Sequence, residues 1–128
     1  MLKPFLYIFS TENKGKGVGT KENIAANTVI EISPVIVMGK KDRVQLDQTL
    51  LHDYIFEWGV NKDKCCMALG LVPMYNHSYK SNCEYFMDFE DDTILIKTVK
   101  AIKKGEELTI NYNGDWNDPA KLWFEVIK

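Results

Sequence analysis

Cysteine is scarce in this chain, and the three that occur argue against both of its usual structural roles. Their number is odd, and Cys65 and Cys66 are adjacent with no second cluster, so neither a disulfide framework nor a four-ligand zinc site can be assembled. Reduced, partly buried thiols are expected. Histidine is scarcer still: His52, His77 and Cys83 have no recognisable ligand spacing, and no metal is expected. Long apolar runs are missing too. The first ten residues, MLKPFLYIFS, hold a run of only five apolar side chains, too short for a secretory core or a membrane span. An intracellular protein, cytoplasmic or nuclear, with no membrane partner is expected. An excess of one charge is absent as well. With 16 Lys plus Arg against 18 Asp plus Glu the net charge is -2, so no basic field exists for direct nucleic-acid binding. The part from Cys65 onward is mildly acidic, which suits either a basic protein substrate or an ordinary solvated surface.

What is present is an ordinary globular balance. Of 128 residues 45% are hydrophobic and 27% charged, enough for a single domain over residues 1–128 that buries roughly two-thirds of its unfolded surface. Phe5 to Phe9 reads as a strand, followed by a Gly/Lys/Asn turn region. Two β-branched runs, Val29 to Ile32 and Val35 to Met38, read as strands separated by Pro34. Asp42 to His52 suits a short helix or an ordered loop. Tyr54 to Trp58 and Met67 to Leu71 read as further strands, and the polar stretch Asn76 to Asn82 reads as a loop too hydrophilic for the core. Cys83 to Phe89 and Thr93 to Val99 flank Glu90, Asp91 and Asp92 as a hairpin with an acidic turn. One more strand is expected at Glu107 to Asn111. Pro119 then opens a short aromatic helix, Ala120 to Ile127. The reading is a mainly β fold with one terminal helix.

Common catalytic templates fit poorly. Asn76, His77 and Ser78 are consecutive, so their side chains diverge in an extended loop, and no Gly-x-Ser-x-Gly elbow is present to expose a nucleophile. Three segments taken together carry more. Gly15 to Gly19 (GKGVG) lies near the start, Asn76-His77-Ser78 sits within ALGLVPMYNHSYKSNC over residues 68–83, and Glu107 to Tyr112 (ELTINY) ends a strand. In this order and spacing they resemble the SET-domain protein lysine methyltransferases, over roughly residues 5–126.

The resemblance implies several short curved sheets, with a C-terminal pseudoknot beside Asn76 to Ser78 and a short terminal helix. It implies methyl transfer from S-adenosylmethionine to the side-chain amine of lysine in a protein substrate. Tyr112 matches the family's catalytic tyrosine. The backbone of Lys16, Gly17 and Val18 would approach the cofactor, and Asn76 and His77 match positions that hold it. Tyr54 resembles a tyrosine near the transfer site, so Tyr54, Ile110 and Tyr112 would line the substrate channel. No cysteine-rich zinc module is expected after Tyr112. Leu122 to Val126 instead resembles the aromatic helix of the zinc-free members, with Trp123 first and Phe124 second as the ring that stacks on adenine. Asn111 stands where Asp is usual and Ser81 where Pro is usual. Ile110, two before the tyrosine, has no hydroxyl and resembles the form that permits more than one methyl group. A catalytically inactive interaction module of the same fold is the alternative, and a homodimer is left open as extra shielding for the channel.

Overall fold

The computed structural model describes residues 1–13, 15–113, 117 and 119. Short strands dominate and form two sheets. In chain order the elements are β1 (Leu6–Ser10), β2 (Lys16–Thr20), β3 (Val29–Met38), helix α1 (Lys40–Leu46) and a 3₁₀ turn (Leu50–Asp53). They continue with β4 (Phe56–Trp58), β5 (Lys64–Ala68), a second 3₁₀ turn (Val72–Met74), β6 (Asn76–His77), β7 (Cys83–Asp88), β8 (Thr93–Thr98) and β9 (Glu107–Ile110). One sheet has the order β1-β2-β9-β6 and the other β4-β5-β3-β8-β7. The terminal helix expected at Ala120 to Ile127 lies outside the described residues.

β3 is the spine of the larger sheet. The two runs expected on either side of Pro34 are one strand of ten residues, because Pro34 falls where the strand changes partners. Residues up to Pro34 pair with β8, and from Val35 onward the strand pairs with β5. A missing N–H is tolerated at such a handover, where the carbonyl of Pro34 still accepts from the Leu69 amide at 3.0 Å. The hairpin of β7 and β8 has the expected acidic turn, with Asp88 opposite Thr93 and the Asp88 carboxylate capping the amides of Glu90 and Asp91. The strand expected at Met67 to Leu71 is displaced to Lys64–Ala68, where Cys65 and Cys66 pair with Met38 and Val37. All three thiols are fully buried, not partly as expected. Burial pushes Cys66 and Cys83 up to about 12.

Two corrections bear on the site. The glycine segment expected as a turn is strand β2, the inner strand between β1 and β9, and four of its five residues are buried. Glycine lowers strand propensity, but here it lets neighbours approach closely. The stretch Asn76 to Asn82, expected as a loop too polar for the core, begins with strand β6 and is largely interior. Asn76, His77, Ser81 and Asn82 are all buried. Hydrogen bonds make that burial tolerable. Asn82 is the clearest case: its Nδ2 donates to the Glu107 carbonyl at 2.9 Å and its Oδ1 accepts from the Thr109 amide at 2.8 Å, clipping β9 in place. β6 in turn pairs in parallel with β9, Asn76 with Thr109 and His77 with Ile110. The last strand thereby lies beside Asn76 to Ser78. The apolar core runs between the sheets through Val18, Ile30, Ile94, Ile96, Leu108 and Ile110, each fully buried and each contributing on the order of 1.5–3 kcal/mol.

Candidate active site

Tyr112 follows β9 by two residues, so the pairing of β9 with β6 delivers it beside His77. Its backbone amide donates to His77 Nδ1 at 3.0 Å, which leaves that nitrogen without a proton, and the two rings lie 5.1 Å apart. Its hydroxyl donates to the backbone carbonyl of Tyr75 at 2.8 Å. The side chain is half-buried, and burial, with smaller contributions from Tyr54, Glu107, Asp53 and Tyr85, pushes its phenol up to about 12. At neutral pH Tyr112 is therefore a neutral hydroxyl whose proton is committed to Tyr75. A phenol oxygen can accept as well as donate.

A cleft of about 540 Å³ opens in front of this group, lined by Tyr54, Phe56, Tyr75, Tyr85, Met87 and Tyr112, with Arg43, His52, Asp53 and Glu57 also among its walls. Tyr54 and Tyr112, expected together, do share this space. Ile110, expected with them, is fully buried in the core and is not part of this wall. Tyr75 and Tyr85 escaped the sequence reading. A signal for Tyr85 existed, since Tyr85, Met87 and Phe89 recur at the two-residue period that places side chains on one face of a strand. Arg43 reaches Glu57 at 3.6 Å and Asp47 at 3.7 Å, linking α1 to β4 beside the cleft.

A second cluster forms where β2 and β9 part. Their register runs only through Val18↔Leu108 and Gly19↔Glu107, because β9 beyond Leu108 turns to pair with β6. Asn76 fills the fork, its Nδ2 donating to Glu107 Oε2 at 2.7 Å. A methyl group at Gly17 would stand 2.8 Å from Glu107 Oε2 and 3.0 Å from Asn76 Nδ2, so a side chain there would displace this pair. Backbone availability is narrower than expected. Val18 is fully buried and paired with both Ile8 and Leu108, and Gly17 is paired with Phe9. Strand alternation turns the Lys16 backbone toward the fork, where its register meets no partner among the described residues. Its side chain lies outside, with Nζ 3.1 Å from Ser10 Oγ. His77 is buried between the Tyr79 and Tyr112 rings and joins the two clusters. Trp123 and Phe124 lie outside the described residues.

A polar fork and an aromatic cleft, joined through His77 and ending on a neutral tyrosine hydroxyl, suit transfer of a group to an apolar-sheathed acceptor. Comparison with known proteins identifies the class. The family model of the SET domain matches residues 15–113, and the chain belongs to this family. It is a protein-lysine N-methyltransferase. Over 121 residues it is 41% identical to the histone-lysine N-methyltransferase, H3 lysine-37 specific, of Schizosaccharomyces pombe, which covers 94% of this chain and 77% of the yeast protein. A crystal structure of a Plasmodium falciparum protein described as a candidate histone methyltransferase superposes with a TM-score of 0.65 at 26% identity, covering 91% of this chain and 98% of that one. No helix among the described residues is long and apolar enough to cross a membrane.

SET methyltransferases use S-adenosylmethionine, and the fork has a donor set that fits it. The Asn76 side chain makes one hydrogen bond, through Nδ2, so its amide oxygen is an acceptor with no partner among the described residues. With the Lys16 backbone this provides donor and acceptor groups for an amino acid moiety.

Proposed function

We propose that this enzyme methylates a lysine in a histone tail, with Tyr112 as its catalytic group and the fork of Lys16, Gly17, Asn76 and His77 as its cofactor seat. The observation that carries the histone substrate is the 41% identity to an H3-specific enzyme over 94% of the chain. When bound, S-adenosylmethionine supplies an electrophilic methyl group for in-line attack by the amine. This chain's own residues do the rest. A lysine amine has a reference pKa of about 10.4 and is neutral in only about one molecule per thousand at pH 7. Tyr54, Phe56 and Tyr85 strip water from an inserted side chain, which disfavours its charged form. The Tyr112 hydroxyl, with its proton donated to Tyr75, accepts an amine N–H and so aims the nitrogen lone pair. Burial, which raises its pKa to about 12, keeps the phenol neutral as it does this. In the same reading Trp123 stacks on the adenine, with Phe124 as its neighbour. Incubating the protein with methyl-labelled S-adenosylmethionine and core histones, then mapping the label by mass spectrometry, tests the reading. Label on histone H3 lysine is expected; no label on any histone lysine would overturn the substrate.

A further inference from the structure

The hydroxyl of Tyr112 is aimed by a backbone carbonyl, and something must hold that carbonyl. Tyr75, which supplies it, follows the 3₁₀ turn Val72–Met74 and is 1% exposed. Its phenol points into the core, where it donates to Glu31 Oε1 at 2.9 Å. Glu31 is a fully buried carboxylate in the middle of β3 and takes no part in the chemistry described above. Its other oxygen, Oε2, accepts from the Leu71 amide at 2.8 Å and the Ser33 hydroxyl at 2.6 Å. One carboxylate thus grips both ends of the segment Leu71 to Tyr75. Gly70, just before it, has φ +64°, and a methyl group there would collide with Glu31 Oε2 and Ser33 Oγ. The chain approaches the carboxylate as closely as glycine allows. Val72 and Pro73, inside the gripped segment, form part of the cleft wall.

We infer that Glu31 and Tyr75 are positioning residues for methyl transfer: the buried carboxylate fixes the Tyr75 phenol, and Tyr75 presents its carbonyl to the Tyr112 hydroxyl. Burying a carboxylate is costly, and three donors are needed to offset it. A core that needed only packing would place an aliphatic side chain at this point of β3, between the buried Ile30 and the outward Ile32. The carboxylate has a directional task. It sets the height of a turn whose carbonyl lies one hydrogen bond from the catalytic hydroxyl, where misplacement by a fraction of an ångström costs rate while leaving binding intact.

This inference rests on the reading of Tyr112 as catalytic, and a double-mutant cycle separates the two. Tyr75→Phe, Tyr112→Phe and the double variant are compared with the wild type for kcat and KM on the histone that the wild type labels. Tyr75→Phe is expected to lower kcat roughly tenfold with little change in KM, and the double variant to be no slower than Tyr112→Phe alone. The ¹³C resonance of the Tyr112 ring Cζ, assigned through Tyr112→Phe, should move in Tyr75→Phe because its hydrogen bond is disturbed. If Tyr75→Phe fails to fold, Glu31→Gln, which preserves volume, enters the same cycle with the same expectations. Full kcat in Tyr75→Phe, or losses that multiply in the double variant, overturns the positioning role and leaves Tyr112 standing. Full kcat in Tyr112→Phe overturns the catalytic reading itself and this inference with it.

Discussion

Replacing Asn76 tests the fork most sharply, because the structure makes two substitutions there differ in their response to pH. In the wild type Asn76 Nδ2 donates to Glu107 Oε2 at 2.7 Å, with Asn76 buried and its backbone held by Thr109. Asn76→Ala removes one donor from a carboxylate and should cost about 1–3 kcal/mol of stability at any pH from 5 to 8. S-adenosylmethionine binding should weaken by a similar amount. Asn76→Asp sets a second carboxyl against the first. At a contact of that length an effective dielectric of about 20 gives a repulsion of about 6 kcal/mol for two full charges, an upper limit that side-chain rotation and proton sharing reduce. The pair's folded pKa is raised above the unfolded value, so stability is retained at low pH and lost as pH rises through it. Urea unfolding at pH 5 and pH 8 should show Asn76→Asp losing about 2 kcal/mol more at the higher pH, relative to Asn76→Ala. Equal losses at both pH values would mean that Asn76 and Glu107 are not in contact, and the fork as described would be wrong.

Other expectations follow from single contacts. Gly70→Ala should destabilise the fold by more than about 2 kcal/mol, measured by urea unfolding, since it combines a left-handed backbone with a collision on Glu31 and Ser33. Native protein should leave an aromatic disulfide reagent unreacted, and all three thiols should react after unfolding, because Cys65, Cys66 and Cys83 are fully buried. The Tyr112 phenol should not ionise until about pH 12, so the difference in phenolate absorbance between the wild type and Tyr112→Phe should be flat through pH 10. Its raised pKa favours the folded state below about pH 10 and that contribution is lost as pH rises toward 12.

How far the fold could be read depended on whether local pattern and tertiary role agreed. They agree in the β7–β8 hairpin, where an acidic turn separates two alternating runs, and the strands lie within a residue of expectation. They conflict in β2, whose glycines look like a turn but are needed because Asn76, Glu107 and Phe9 press against Gly17. They conflict again at Asn76 to Asn82, where polarity suggested solvent and a hydrogen-bonded interior was found. Tyr112, Tyr54 and Asn76 could be nominated from the family resemblance. Glu31 and Tyr75 could not, since a carboxylate in a β-branched run and a tyrosine beside Asn76 disclose nothing until the chain brings them to 2.9 Å across 44 residues.

The central claim is that Tyr112 carries methyl transfer to lysine, and the most direct measurement is the single-turnover rate of labelled methyl transfer to histone H3 at saturating cofactor, wild type against Tyr112→Phe. Loss of one neutral hydroxyl leaves the ring to pack against His77, so the variant should fold and bind cofactor nearly as the wild type does. The expected rate is lower by roughly two orders of magnitude, the scale of losing one group aimed at the transition state. A folded, cofactor-binding variant that transfers methyl groups as fast as the wild type would contradict it.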